Sequence, residues 1–130
     1  MKNPLIPITL ALAALLPMPS QAENSNLTKQ FSVCMDKSGT TTQGMVECMG
    51  DEHQRQDVRL NKAYRALMGT QTPERKKQLQ ETQRAWIKFR DLNCAFYYDP
   101  DGGSMARINA NDCVMSMTAN RAKELENLAQ

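Results

Sequence analysis

The 130-residue sequence has few aromatic residues, no strong excess of either charge and a single histidine. Sixteen Lys and Arg residues stand against fourteen Asp and Glu residues, so the net charge is only +2. Nucleic-acid binding usually needs a marked basic excess, and we therefore expect no nucleic-acid partner. The length accommodates one domain, which excludes multidomain enzymes and large barrels.

The signatures of catalysis and metal binding are also missing. The sequence contains no G-x-S-x-G, Walker loop, H-E-x-x-H or dinucleotide fingerprint. His53 is the only histidine, and no cysteines are spaced as C-x-x-C, which argues against a zinc site. The acidic segment 99–103 lacks the later ligands of a calcium loop, so a turn explains it better. We expect neither enzyme activity nor a cofactor or metal.

The first 22 residues are typical of a secretory signal peptide. Lys2 is followed by an apolar run over 5–16, and Ser20-Gln21-Ala22 provides small residues for cleavage. The run is too short to span a membrane, and no cysteine stands at the cleavage point for a lipid anchor. We expect residues 1–22 to be removed and residues 23–130 to form one periplasmic or secreted domain without a membrane anchor.

Four cysteines follow this segment: Cys34, Cys48, Cys94 and Cys113. An even number of cysteines in a small exported domain predicts two disulfides. We favour Cys34–Cys48 with Cys94–Cys113, because each would join neighbouring helices and close a short loop. The pairing Cys48–Cys94 with Cys34–Cys113 stays open as an alternative, since a helical hairpin would place Cys48 opposite position 93.

The apolar residues are mainly Leu, Met and Ala, with few Val and Ile, which disfavours a β-sheet. Capping residues and breakers instead predict an all-α, disulfide-stapled domain with three main helices and a short leading one. The expected helices run over Leu27–Asp36, from a Thr40/Gln43 capping box to Met68, from Thr72-Pro73 to Cys94, and from Asn109 or Asn111 to Leu128.

The short link at 69–72 predicts that the second and third helices are antiparallel neighbours. Their expected register brings Glu52 close to Arg90 as an ion pair. With Gln83 and Arg121, these residues would form a structural polar layer between helices. A catalytic cluster of Glu52, His53 and Arg90 is disfavoured, because arginine lowers the pKa of a carboxylate that would need to act as a base.

The segment 95–109 is the best candidate for binding a partner. It holds three of the seven aromatic residues, beside acidic residues and two glycines. This composition is common in binding loops, and a Cys94–Cys113 bridge would hold the ends of the loop together. Alternatively, Phe96 and Tyr97 close the core. The predicted partner-binding residues are Tyr97, Tyr98, Asp99, Asp101 and Ser104.

The order of several motifs resembles the LprI-like family of exported bacterial proteins. The resemblance covers about residues 34–128 and rests on the four cysteines, Met45, Glu52, D-x-x-L-N-x-x-Y over 57–64, Q-R-A-W-I over 83–87, Arg90-Asp91, Gly102-Gly103-Ser104, Thr118, Arg121 and Leu125. The family takes its name from a mycobacterial lipoprotein that inhibits lysozyme, whereas this sequence lacks a lipid-anchor cysteine.

Two functions follow from that resemblance and from the residues. The first is an exported inhibitor of a cell-wall hydrolase, with lysozyme as the expected protein partner, that occludes the enzyme's cleft. The alternative is a periplasmic interaction module, such as an immunity protein or assembly factor, that binds a different protein. The sequence leaves the oligomeric state open.

Overall fold

The computed structural model describes residues 26–130, which fold into four α-helices without a β-strand. The expected all-α domain, with one short and three long helices, is confirmed. None of these four helices is both long and apolar enough to cross a membrane. The predicted signal peptide lies outside the described residues. The helices are α1 (Lys29–Ser38), α2 (Thr42–Gly69), α3 (Pro73–Phe96) and α4 (Gly103–Leu128).

The start of α2 lies one residue later than the predicted capping box. Thr41, rather than Thr40, is the N-cap, and its hydroxyl oxygen accepts a hydrogen bond from the Gly44 backbone N–H. Gln43 does not reach back to the cap, because its amide donates to Glu47 at 2.7 Å. The predicted box was therefore wrong in detail, although a threonine does begin the helix.

The start of α4 differs more, because the helix begins at Gly103 and not near Asn109 or Asn111. Gly102 is its N-cap and has no side chain to accept a hydrogen bond, so the usual capping signal is missing. Gly103 has φ +62°, a conformation that favours glycine, and it turns the chain into the helix. The connection between α3 and α4 therefore shortens to residues 97–102.

The core forms mainly between α2 and α4. Its central cluster consists of Leu60, Ala63, Leu67, Ala122 and Leu125. The backbones of α2 and α3 scarcely approach one another, and α3 packs on α4 instead. The two helices are antiparallel neighbours, as the short link predicted, because residues of both line one cleft. Their backbones nevertheless stay too far apart to pack closely.

The two disulfides follow the favoured pairing. Cys34–Cys48 joins α1 to α2 with a Cα–Cα distance of 5.7 Å, and Cys94–Cys113 joins α3 to α4 at 5.5 Å. The alternative pairing depended on the α2–α3 register and does not form. Helix α1 is thus covalently attached to α2, and α3 is covalently attached to α4.

Glu52 is fully buried, but it does not pair with Arg90. Its carboxylate accepts hydrogen bonds from the Thr28 backbone N–H at 2.8 Å and the Thr28 hydroxyl at 2.6 Å. The Gln56 amide and the Arg55 guanidinium each donate to it at 2.7 Å. The predicted Glu52–Arg90 ion pair was therefore wrong, and Glu52 instead ties the start of α1 to α2.

Burial alone would raise the pKa of Glu52, but the hydrogen bonds from Thr28, Gln56 and Arg55 outweigh it and hold the pKa below its usual value. A carboxyl whose pKa is lower in the folded state stabilises the fold above its unfolded-state pKa. That contribution is lost as the pH falls through the lowered folded-state pKa.

We predict that Glu52→Gln lowers the free energy of unfolding by about 1–3 kcal/mol at pH 7, because the new amide NH₂ group would face buried donors. Urea denaturation checks this value. The effect should shrink in strongly acidic buffer, where the wild-type carboxyl is itself protonated.

The matched control is Glu47→Gln, which removes an exposed carboxylate from the same helix and should change stability by less than about 0.5 kcal/mol. Equal effects of the two substitutions would contradict the role assigned to Glu52.

Candidate functional site

The segment 96–105 forms an exposed surface at the end of the domain where α3 meets α4, and we call it the loop surface. The side chain of Phe96 is 86% exposed, and Tyr97 and Tyr98 are 49% and 54% exposed. Met105 is 58% exposed. The alternative in which Phe96 closes the core is therefore wrong. Large exposed apolar surfaces of this kind often mark interaction sites.

The loop surface is held in one shape by its own hydrogen bonds. The Tyr98 backbone N–H donates to the Ala95 carbonyl, and the Gly102 N–H donates to the Asp99 carbonyl, both at 3.0 Å. The Asp101 N–H donates to the Asp99 side chain at 2.9 Å, as in an Asx turn. A loop that is ordered before binding loses less entropy when a partner arrives.

The close packing of Gly102 also supports this shape. A Cβ atom at this position would lie 2.7 Å from the Cβ of Ala106 and 3.1 Å from the Cβ of Asp99. Ala106 is buried in the first turns of α4. Only glycine therefore allows the loop to lie this close to the helix that follows it.

The structure places the five predicted partner-binding residues along this one surface, and all five are exposed. Ser104 lies in the first turn of α4 and not on a free loop, because α4 starts early. The segment 96–105 carries two carboxylates, from Asp99 and Asp101, and no basic side chain. This charge suits a basic partner.

Sequence analysis missed an apolar stripe that extends the loop surface along α3. Phe89 and Leu92 are 59% and 64% exposed, and their spacing to Phe96 places all three on one side of the helix. The spacing was visible in the sequence.

Three of the four residues predicted to form a polar layer lie together between α3 and α4. The Arg121 Nε donates to the Gln83 Oε1 at 3.0 Å, and an Arg90 NH donates to the Thr118 hydroxyl at 3.2 Å. Both guanidinium groups lie over Trp86, with carbon-to-centroid distances of 5.3 Å for Arg90 and 5.9 Å for Arg121. The Arg121 contact crosses from α4 and adds to the attachment of α3, whereas the Arg90 contact lies within α3. Glu52 lies elsewhere, as described above.

A concave site separate from the loop surface lies between α2 and α3, with a volume of about 270 Å³. Segments 57–64 and 83–90 provide nearly all of its lining, and these are the two helical motifs that support the family resemblance. The sequence pattern suggested a packing role for them. Leu60, Tyr64 and Trp86 do pack in or against the core, and the two segments also form opposite walls of an open cleft. The lining residues are Asp57, Leu60, Asn61, Tyr64, Gln80, Gln83, Arg84, Trp86, Ile87 and Arg90.

His53 is half-buried on α2, and its Nε2 atom has no hydrogen-bond partner among residues 26–130. Burial lowers the pKa of His53, and the nearby Arg90 guanidinium lowers it further. Within the described chain, no group of three or more His, Cys, Asp or Glu side chains is placed to hold a metal ion.

The model of the lysozyme inhibitor LprI family matches residues 34–125, from the first cysteine to the core of α4. The chain belongs to the LprI family. An uncharacterized protein from Rhizobium meliloti is 28% identical over 97 residues, a match that covers 64% of this chain and 70% of that protein. No solved structure matches the chain.

The LprI match includes both disulfides, the loop surface and the α2–α3 cleft. At family level, LprI proteins are inhibitors of lysozyme and have a protein as their partner. Two disulfides within the domain are typical of proteins from an oxidising compartment.

Proposed function

We propose that this LprI protein is an exported, periplasmic or secreted inhibitor that blocks the cleft of lysozyme with its loop surface. The observation that carries the proposal is the exposed group of aromatic side chains beside two carboxylates, on a loop closed by the Cys94–Cys113 disulfide. Removal of residues 1–22 is part of the same proposal.

The inhibitory mechanism is occlusion and requires no reacting group on the inhibitor. Lysozyme cleaves a glycosidic bond with two carboxyl groups in a cleft that binds sugar rings. Tyr97 and Tyr98 offer flat apolar faces and a polar hydroxyl, which suits a surface built to bind sugars. Ser104 adds a hydroxyl group at the edge of the loop surface. A rigid loop in the cleft excludes the polysaccharide substrate.

The charge of the loop surface and the area that a stable interface needs both support binding through this end of α3. Asp99 and Asp101 would face the basic rim of such an enzyme and increase the rate of encounter. A stable complex buries roughly 800 Å² on each partner, which is more than a six-residue loop provides. Phe89 and Leu92 on α3 adjoin the loop surface and supply further apolar area. The interface therefore includes the outer side of α3 near its end.

We predict that Tyr98→Ala weakens lysozyme binding by more than about 1 kcal/mol, or roughly fivefold in Kd, because interface energy concentrates in a few aromatic anchors. Titration calorimetry and a cell-wall turbidity assay measure the effect. Val58→Ala, which truncates a side chain that is 69% exposed on α2, is the matched control and should bind like the wild type.

We predict that the double substitution Asp99→Asn/Asp101→Asn mainly slows association and weakens its dependence on salt. Asparagine keeps the side-chain oxygen that accepts from the Asp101 N–H, so the turn should persist. Stopped-flow kinetics at several salt concentrations test this. Asp36→Asn/Asp51→Asn removes the same charge from exposed positions on α1 and α2 and should leave the association rate nearly unchanged.

Unchanged inhibition by the loop variants would place the binding site elsewhere on the domain. A wild-type protein that binds no lysozyme would contradict the proposal and favour a different protein partner, as expected for an immunity protein or an assembly factor.

A further inference from the structure

The cleft between α2 and α3 shares no residue with the loop surface, and the proposed lysozyme contact does not use it. It exists because α3 is fastened to α4 and not to α2. The Cys94–Cys113 disulfide and the Arg121–Gln83 and Arg90–Thr118 hydrogen bonds all join α3 to α4. The facing sides of α2 and α3 are thus left apart, with side chains directed between them.

Gln83 lines this cleft and has an unsatisfied donor. Its side chain is 94% buried, since only 6% of the residue is exposed. Arg121 fixes the orientation of the amide by donating to its oxygen at 3.0 Å. The Nε2 atom is then left buried, with no acceptor among residues 26–130. A buried donor without a protein partner is rare in folded proteins, and such a group usually bonds to a water, an ion or another bound molecule.

The rest of the lining offers hydrogen-bond donors, hydrogen-bond acceptors and an apolar wall. Asn61 donates to the Asp57 carboxylate at 3.1 Å, which leaves oxygen atoms of both side chains as acceptors. Arg84 is exposed and has no ion-pair partner in the described chain. Arg90 already pairs with Asp91 at 2.8 Å, so its charge is largely compensated. The apolar lining comes from Leu60, Tyr64, Trp86 and Ile87.

These groups restrict the class of ligand. A purely apolar molecule would leave the Gln83 donor unsatisfied. An inorganic anion would be repelled by the negative charge of the Asp57 carboxylate. A neutral molecule with a carbonyl acceptor, an N–H donor and a small apolar group fits all three kinds of lining. The acetamido group of an amino sugar has these features, and the sugar hydroxyls suit the remaining polar side chains.

We propose that the α2–α3 cleft binds an N-acetylated amino sugar. After a small shift of the side chains at the rim, the acetamido carbonyl accepts from the Gln83 Nε2. The acetamido N–H donates to the oxygens of Asp57 and Asn61, and the methyl group packs against Leu60 and Ile87. The cleft volume of about 270 Å³ is close to the small end of the range for ligand pockets.

The fluorescence of Trp86 offers a direct test, because Trp86 is the only tryptophan in the sequence and lines the cleft. The purified protein is titrated with chitotriose and, separately, with cellotriose, which has the same linkage but a hydroxyl in place of each acetamido group. We expect a saturable change with chitotriose and at least about tenfold weaker binding of cellotriose. No saturable change with chitotriose, or equal binding of both sugars, overturns the proposal.

Two variants place the binding in the cleft. Gln83→Glu keeps an oxygen for Arg121 but removes the NH₂ donor, and should weaken chitotriose binding more than about tenfold. Asn61→Ala changes an exposed lining residue, and should weaken it about threefold to tenfold while leaving the fold intact. Asn127→Ala is the matched control, because Asn127 is exposed on α4 and does not line the cleft.

Full chitotriose affinity in both Gln83→Glu and Asn61→Ala would overturn the proposal, as would equal weakening by Asn127→Ala. Circular dichroism and thermal melting confirm that each variant is folded. Lysozyme inhibition is measured in parallel and should not change in Asn61→Ala, since the loop surface is separate. Failure of the sugar site and failure of the inhibitor function are therefore distinguishable.

Discussion

The attachment of α3 to α4 is the constraint on which both candidate sites depend. Only Gln83 and Cys94 are buried along the whole of α3, so this helix contributes little to the apolar core. Leu79 and Trp86 pack partly buried against the core cluster, and the Cys94–Cys113 disulfide and a few polar contacts complete the attachment. A disulfide of this kind disfavours the unfolded chain and reduces the need for an apolar seam. Because α3 packs so little inward, its apolar outer side and its side of the α2–α3 cleft both remain available.

Two parts of the domain are stabilised in different ways. Where α1 joins α2, the buried carboxylate of Glu52 accepts hydrogen bonds from Thr28 and from its own helix, and the Cys34–Cys48 disulfide joins the same two helices. Between α3 and α4, the loop surface is fixed by its internal hydrogen bonds and the close packing of Gly102. The first arrangement buries its polar groups, whereas the second keeps aromatic and acidic groups exposed.

Local signals in the sequence predicted the fold well. Thr72 caps α3 and Pro73 opens it, as the sequence indicated, because both residues act within a single turn. The disulfide pairing also followed from closeness along the chain. The α2–α3 register held approximately, since segments 57–64 and 80–90 line one cleft. Close packing of these two helices was not found, because α4, which is distant in sequence, is the helix that covers α2. The start of α4 was predicted too late in the sequence, because Gly102 begins the helix without a capping side chain.

The candidate sites were predictable to different degrees. The residues 97–104 were identified from composition alone, since tyrosine, acid and glycine are concentrated there. The stripe formed by Phe89 and Leu92 has a helical spacing to Phe96 that is visible in the sequence, but spacing alone does not tell which side of α3 is exposed. The α2–α3 cleft was not predictable, because Asp57, Asn61 and Gln83 look like ordinary polar packing residues until the two helices are seen to stand apart.

The central claim is that lysozyme is bound through the loop surface and the adjoining side of α3. Hydroxyl-radical footprinting with mass spectrometry, with and without lysozyme, tests it most directly, because exposed aromatic and methionine side chains are readily oxidised. We expect lysozyme to protect Phe96, Tyr98 and Met105, while the exposed Val58 and Leu128 keep their oxidation rates. Protection of Val58 or Leu128 with no protection of the loop surface would contradict the account.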